Sequence, residues 1–387
     1  MRHFKNSPNF QDTDPILNSK LFEEAYQSIK NWPDYMPTPL YHLNGLASEL
    51  GVGTIFYKDE SQRFGLKSFK ALGGAYAVVR VLKEHLTMIL KENDIRESDI
   101  LNGKYATHFK NFTVATATDG NHGRSVAWGA QKCGINCVIY MHKGVSESRA
   151  IAVELLGAKV VWVDGNYDDS LHKVKRDAIE NQWHIISDTS YDGYTYIPKF
   201  VMAGYTVMTW EIIEQLKNDP IPSHIIIQGG VGGLAGAICA HAAKIWGSNR
   251  PKFIIVEPET ADCLYQSAKA GEPKMVHIEQ ETMMGGLSCG EVSIIGWDIL
   301  KNNADHFVTI SDNNVKNAMC LLALGVGDDP SVEAGESAVA GIAMLMELAK
   351  NSALKEALSL DENSRILLFG TEGATDQKIY DEIISGN

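Results

Sequence analysis

Three segments of the chain hold residue types, at spacings, that suit chemistry. The run Gln228-Gly229-Gly230-Val231-Gly232-Gly233-Leu234-Ala235-Gly236 follows an apolar, β-branched stretch and leads into a helix-period one. Glycines let the backbone turn tightly with its N–H groups converging, and the helix N-terminus adds partial positive charge, so the run suits a phosphate. It also reads as a packing turn that binds nothing. Thr116-Ala117-Thr118-Asp119-Gly120-Asn121-His122-Gly123 repeats the strand-to-helix placement with polar side chains. Its donors suit a carboxylate, and Asp119 and Asn121 suit acid/base or orienting hydrogen-bond work. Read alone, it is equally a helix cap with His122 packed or capping. The third segment, Lys58 to Lys70, is a polar loop feeding a helix over Ala71 to Lys83. With Ser68 as N-cap, Lys70 falls in the first turn, where the helix dipole disfavours a cation and favours the nucleophilic amine that Schiff-base formation needs. Lys58, Lys67 and Lys70 are all candidates on these grounds, and all three also read as solvated surface lysines.

The elements that must position these segments alternate almost from end to end. Strands are expected at Thr54 to Lys58, Phe112 to Ala115, Asn136 to Met141, Lys159 to Val163, His184 to Ile186, His224 to Gln228, Lys252 to Glu257 and Arg365 to Phe369. Most are short, apolar and β-branched, as strands covered on both faces by helices are, and the alternation predicts an α/β protein with two open parallel sheets. Three regions break the pattern. The first 36 residues, with Pro8, Pro15 and Pro33, read as an arm lying over another element or subunit. Glu84 to Lys110 is charge-rich and reads as a surface insertion, and Ala270 to Gly296 reads as a long, functional loop.

Composition narrows the partners. The 387 residues are 44% hydrophobic and 21% charged, enough for a sizeable core, and the formal charge of −13 argues against a nucleic-acid backbone. No apolar run approaches the roughly 18 residues of a membrane span and the opening residues lack a signal-peptide core, so a soluble cytoplasmic protein is expected, with no membrane partner. Six cysteines are too few for a disulfide framework. Cys133 and Cys137 lack the further ligands of a zinc site, so no metal is expected, and a Cys263–Cys289 bridge stays open. A dinucleotide reading is also available: Gly230 and Gly232 precede a helix, and the next strand ends at Glu257, which imitates an acidic ribose contact.

The ordered set Pro37-Thr38-Pro39-Leu40, Ser68-Phe69-Lys70, Asp119-Gly120-Asn121-His122-Gly123 and Gly229 to Gly233 resembles the fold-type II pyridoxal-phosphate enzymes. Arg63-Phe64-Gly65-Leu66, Thr118-Asp119 where dehydratases usually show two serines, and Asp188-Thr189 followed by Asp192-Gly193-Tyr194 make the finer pattern similar to the diaminopropionate ammonia-lyases. The likeness runs from about Tyr35 to Asp376. It departs at Gly370, where relatives often carry a hydroxyl or thiol, and at Lys67, where they have Asn.

The resemblance implies two lobes, each an open, mainly parallel sheet covered by helices: a larger cofactor-binding lobe of residues 37–85 and 200–387, a smaller lobe of 86–199, and the arm of 1–36. It implies pyridoxal 5'-phosphate, with Lys70 holding it as a Schiff base and moving protons. Asn121 would bond the phenolic oxygen, Gly229, Gly230, Val231, Gly232, Gly233 and Leu234 would bind the phosphate, and Thr371 would face the pyridine nitrogen. Asp119 would be the second catalytic group, with Thr118, Asp119 and Asp188 contacting an amino acid substrate. The implied reaction eliminates ammonia from 2,3-diaminopropionate, with Asp119 and Lys70 serving opposite faces of both enantiomers, in a homodimer engaged in amino acid catabolism. A serine or threonine dehydratase of the same fold is the alternative, and an NAD-binding oxidoreductase the more distant one.

Overall fold

In the computed structural model, which describes residues 1–118, 120–165 and 167–386, the chain divides into two compact units. The larger comprises Met1–Ser19, Pro37–Ser68 and Met208–Asn387; the smaller comprises Lys20–Met36 and Phe69–Val207. The strands in chain order are β1 (Arg2–Lys5), β2 (Leu40–His42), β3 (Thr54–Asp59), β4 (Thr113–Ala117), β5 (Asn136–His142), β6 (Lys159–Val163), β7 (His184–Ile185), β8 (His224–Gln228), β9 (Lys252–Pro258), β10 (His306–Ile310) and β11 (Arg365–Gly370).

The larger unit carries a seven-stranded sheet in the order β1-β10-β9-β8-β11-β3-β2. Its five central strands are parallel, and β1 and β2 add antiparallel edges. Ile226, Ile254, Val308, Ile366 and Leu368 from the central strands join Ile342, Met344 and Leu345 of the Ala340–Leu348 helix in one buried cluster. Sequential burial of Val, Ile and Leu on parallel strands removes their apolar surface from water at about 25 cal/mol per Å². The smaller unit carries an all-parallel sheet ordered β6-β5-β4-β7. Ala115, Ala117, Val138 and Tyr140 pack there with Val174 of the Tyr167–Asn181 helix.

The sequence-expected strands are present, and three more, β1, β2 and β10, join them. The two compact units meet along the chain at Ser68/Phe69 and Val207/Met208. The reason is the long Lys70–Leu90 helix, which packs throughout on the Asn121–Cys133 and Tyr196–Tyr205 helices of the smaller unit. The first 36 residues divide likewise. Arg2 to Lys5 pair with His306 to Thr309 at the edge of the larger sheet, whereas Trp32 packs near Tyr76 and Trp128 in the smaller unit. Glu84 to Lys110 is not only surface, because Leu86, Ile95, Ile100, Leu101 and Phe109 are buried.

Candidate active site

Lys70 is the first residue of its helix. Ser68, the expected cap, instead forms a bridge with Glu372, and Phe69 takes the cap position without a side-chain cap bond. Helix contact near Lys70 depends on glycine: a Cβ on Gly73 would lie 2.4 Å from the Tyr205 ring, and one on Gly74 2.4 Å from Ser125 Oγ. Through that close approach Ser125 Oγ donates to the Lys70 carbonyl at 2.7 Å and accepts from Ala75 N at 3.0 Å. The Lys70 main chain is thereby fixed to the helix that Asn121 opens.

The Lys70 ammonium donates to Asp188 Oδ2 at 2.5 Å and lies 5.3 and 5.8 Å from the Phe69 and Tyr205 ring centres. Asp188 follows β7, on a turn stapled by Tyr194, whose hydroxyl donates to the Ile185 carbonyl at 2.8 Å and accepts from Ser187 N at 3.1 Å. Ser187 Oγ accepts from Thr189 N at 3.2 Å on the other side of the carboxylate. His122 Nδ1 lies 3.7 Å from the same Oδ2, with Nε2 2.8 Å from the Ile186 carbonyl. Burial works against ionising Asp188, but attraction to His122, whenever that ring carries a second proton, and to the Lys70 ammonium outweighs it and holds the carboxyl well below the usual carboxylate range. Burial pushes the His122 imidazole down; Asp188 opposes that push and Lys70 adds to it.

Thr118 Oγ1 accepts from Gly120 N and from Gly123 N, each at 3.1 Å, so its oxygen caps the helix and its single hydrogen is what remains for a ligand. Asp119 lies outside the described residues. Sequence reasoning passed over Ser125, Ser187 and the staple role of Tyr194; of these only Tyr194 stood in a quoted motif.

In the larger unit, Gly229 to Leu234 form the turn from β8 into the Gly233–Trp246 helix. Gly230 and Gly232 have φ of +55° and +93°, a region that favours glycine. A Cβ on Gly229 would meet Glu257 Cγ at 2.6 Å. The first N–H groups of a helix have no intrahelical acceptor, so Gly233, Leu234 and Ala235 present donors at the positive end of the dipole. Glu257 is not available to a ribose: it is buried, and its two oxygens accept from Leu264 N at 2.9 Å and Tyr265 N at 2.7 Å. The acidic contact of the dinucleotide reading is therefore a helix cap. Thr371 is buried just beyond β11. The absent side chain at Gly370 also has a local cause, since a Cβ there would stand 2.4 Å from the Tyr57 ring.

The other two candidate lysines are engaged elsewhere. Lys58 is sealed in the core, with Nζ 2.6 Å from Glu211 and 2.7 Å from the Thr38 carbonyl. Lys67, in left-handed backbone at φ +55°, pairs with Glu333 at 3.1 Å and donates to Gln377 at 3.1 Å. All six cysteines are free thiols, so Cys263 and Cys289 are not bridged; Cys133 and Cys137 are both buried.

Residues 32–369 match the family model described as pyridoxal-phosphate dependent enzyme. The chain is 38% identical over 377 residues to the diaminopropionate ammonia-lyase of Escherichia coli K12, covering 96% of this chain and 93% of that one. The chain belongs to the diaminopropionate ammonia-lyase family. A crystal structure of the holo enzyme from E. coli matches with a TM-score of 0.91 at 36% identity, over 100% of this chain and 97% of that one. A second, of the E. coli enzyme in complex with an aminoacrylate-PLP azomethine reaction intermediate, matches with a TM-score of 0.89 at 36% identity and the same coverage. The enzyme is thus a fold-type II pyridoxal-phosphate-dependent lyase that carries out elimination. Residues of each unit taken by itself fit that cofactor: in the larger, Gly230 and Gly232 give the left-handed backbone of a turn that opens on helix donors suited to phosphate, and in the smaller Lys70 supplies an amine. Among the described residues, no helix is long and apolar enough to cross a membrane.

Proposed function

We propose that this enzyme removes the β-amino group of 2,3-diaminopropionate, of either enantiomer, and with water yields pyruvate and two ammonia molecules. The observation that carries the reading is the ionised Asp188 carboxylate held beside Lys70 at 2.5 Å. In this reading Lys70 Nζ would hold the cofactor, Gly229 to Leu234 would bind its phosphate, Asn121 would meet its phenolic oxygen and Thr371 its pyridine nitrogen. The bound pyridoxal phosphate supplies the electron sink that acidifies the substrate's α-carbon and lets the β-substituent leave. Lys70 Nζ takes or returns a proton on one face of the substrate, and Asp119 does so on the other.

Asp188 sets the choice of leaving group. A β-ammonium departs as neutral ammonia, whereas a β-hydroxyl needs a proton first, so the two substrates present different charges to the pocket. A desolvated carboxylate beside the β-position favours the cation by about 2–5 kcal/mol, and neutral hydroxyls in its place would not. Thr118 contributes its remaining hydroxyl hydrogen to the substrate. A homodimer working in the cytoplasm on amino acid breakdown completes the proposal. The test is pyruvate release from L- and D-diaminopropionate against serine. Rapid release from both enantiomers with slow release from serine is expected; a preference for serine would transfer the assignment to the dehydratases.

A further inference from the structure

One carboxylate oxygen in the smaller unit faces two proton-bearing groups. Asp188 Oδ2 accepts from Lys70 at 2.5 Å and stands 3.7 Å from His122 Nδ1. The imidazole is anchored from behind: the Ile186 carbonyl can only accept, so Nε2 carries a hydrogen and donates to it. In the neutral ring Nδ1 is then a bare acceptor, and it is buried with no hydrogen-bond partner among the described residues. Two acceptors facing each other stay apart, which accounts for a separation beyond hydrogen-bond range. With a proton on Nδ1, the same pair becomes a charge-assisted hydrogen bond after an approach of about 1 Å.

We propose that His122 is the positioning residue of Asp188 and the proton store for Lys70: as the Lys70 amine turns to the cofactor, its surplus proton passes through Asp188 Oδ2 to His122 Nδ1. This rests on the reading that Lys70 is the cofactor's lysine. The step balances: an N–H bond at Nζ breaks, an N–H bond at Nδ1 forms, the electron pair stays on Nζ, and Asp188 ends as the anion it was. The imidazolium then replaces the ammonium as the cation beside Asp188, so Asp188 keeps a counter-charge, its position and its ionisation while Lys70 is engaged.

The groups facing His122 agree with such an exchange. Lys70 is the cation that depresses it and Asp188 the anion that supports it, so losing the ammonium charge raises the imidazole. Tyr205 adjoins Lys70 and Asp188, and Tyr194 adjoins Asp188; burial pushes both phenols up, so they stay neutral through the exchange. Arg124, on the same helix, is displaced by burial alone. Asp119, three residues earlier, lies outside the described residues.

The test uses cofactor-free protein with isotope-labelled histidine, followed by NMR through a pH titration, with H122Q assigning the resonance. In K70Q the His122 midpoint should rise by about one pH unit or more, a tenfold change in its protonated fraction. Equal midpoints in K70Q and wild type would overturn the proposal. A second measurement leaves Lys70 intact: cofactor-free protein is mixed with pyridoxal phosphate and the near-visible Schiff-base band is followed against pH. In H122Q, with its circular dichroism unchanged, the pH for half-maximal rate should move up by about one unit, making bond formation near neutrality about tenfold slower. Superimposable profiles would overturn the proposal. If reduction traps the cofactor on another lysine, the assigned role of Lys70 fails, and the His122 midpoint in K70Q still decides whether the two groups exchange charge.

Discussion

Two groups of charged side chains, one in each compact unit, are built on opposite terms. In the larger unit Lys58, Glu60, Arg63 and Glu211 are each exposed by 2% or less. Two cations face two carboxylates: Arg63 donates to Glu60 at 2.8 and 2.9 Å and to Glu211 through two nitrogens at 2.8 Å, and Lys58 completes Glu211. In the smaller unit the Lys70 and Asp188 side chains keep 23% and 15% exposure, one carboxylate oxygen faces two neighbours, and among the described residues a buried imidazole nitrogen is left over. A sealed and balanced cluster has nothing to exchange and fixes the loop that leads to Lys70. The accessible and incompletely satisfied one can trade a proton or a partner. A buried lysine beside a carboxylate is therefore not in itself a sign of chemistry; an unfinished charge pattern is the better sign.

Breaking the two groups should have different consequences. K70A should lower pyruvate release from either enantiomer of diaminopropionate by about three orders of magnitude or more, measured in a coupled assay, with the folded state intact. R63M should do the reverse in kind, costing about 3–5 kcal/mol in denaturant unfolding because it strands two buried carboxylates. The same cluster carries a pH signature. Burial opposes ionisation of Glu211, but Arg63 and Lys58 outweigh it and depress the carboxyl to about 2 from an ordinary 4.5. Its stabilisation is therefore complete above the unfolded value and drains away as pH falls from about 4.5 through about 2, and a wild-type acid-unfolding curve steeper than that of E211Q would show it.

Substitutions at the acid/base and recognition groups sharpen the smaller-unit half of the comparison. D119N should depress one enantiomer far more than the other, and equal losses in the two assays would remove the two-face assignment. D188N should weaken kcat/KM for diaminopropionate by about 30-fold or more relative to serine, the low end of what a desolvated charge pair discriminates. An unchanged ratio would show that this carboxylate does not read the β-amine. The smallest effect belongs to Lys67, whose exposed pair with Glu333 contributes at most about 1 kcal/mol. K67N replaces a lysine in left-handed backbone with a residue that tolerates it, so thermal unfolding should stay within that range and turnover should be unchanged.

Much of the sheet architecture was legible because parallel strands buried on both faces leave unbroken apolar runs, as in His224 to Gln228. Strands β1 and β2 left no such trace: Arg-His-Phe-Lys and Leu-Tyr-His are short, mixed edge segments whose pairing is set by β10 and β3. The helix contacts behind the unit boundary leave no local trace either, because they turn on which helices Gly73 and Gly74 allow to approach the Lys70 helix. Residue type alone left Lys58, Lys67 and Lys70 equivalent, and only the motif around Lys70 separated them. Partners far along the chain then gave the physical reason: Glu211 seals Lys58, Glu333 holds Lys67, and Asp188, 118 residues away, faces Lys70. The His122 motif was visible, but the direction its ring presents depends on the Ile186 carbonyl, which no local spacing encodes.

The most direct measurement is borohydride reduction of the protein loaded with pyridoxal phosphate, followed by peptide mass analysis. A single pyridoxyl adduct on Lys70, with Lys58 and Lys67 unmodified, is the predicted result. An adduct on either of those two lysines, or no adduct on a protein that still eliminates ammonia, would contradict the assignment of the smaller-unit charge group as the seat of the chemistry.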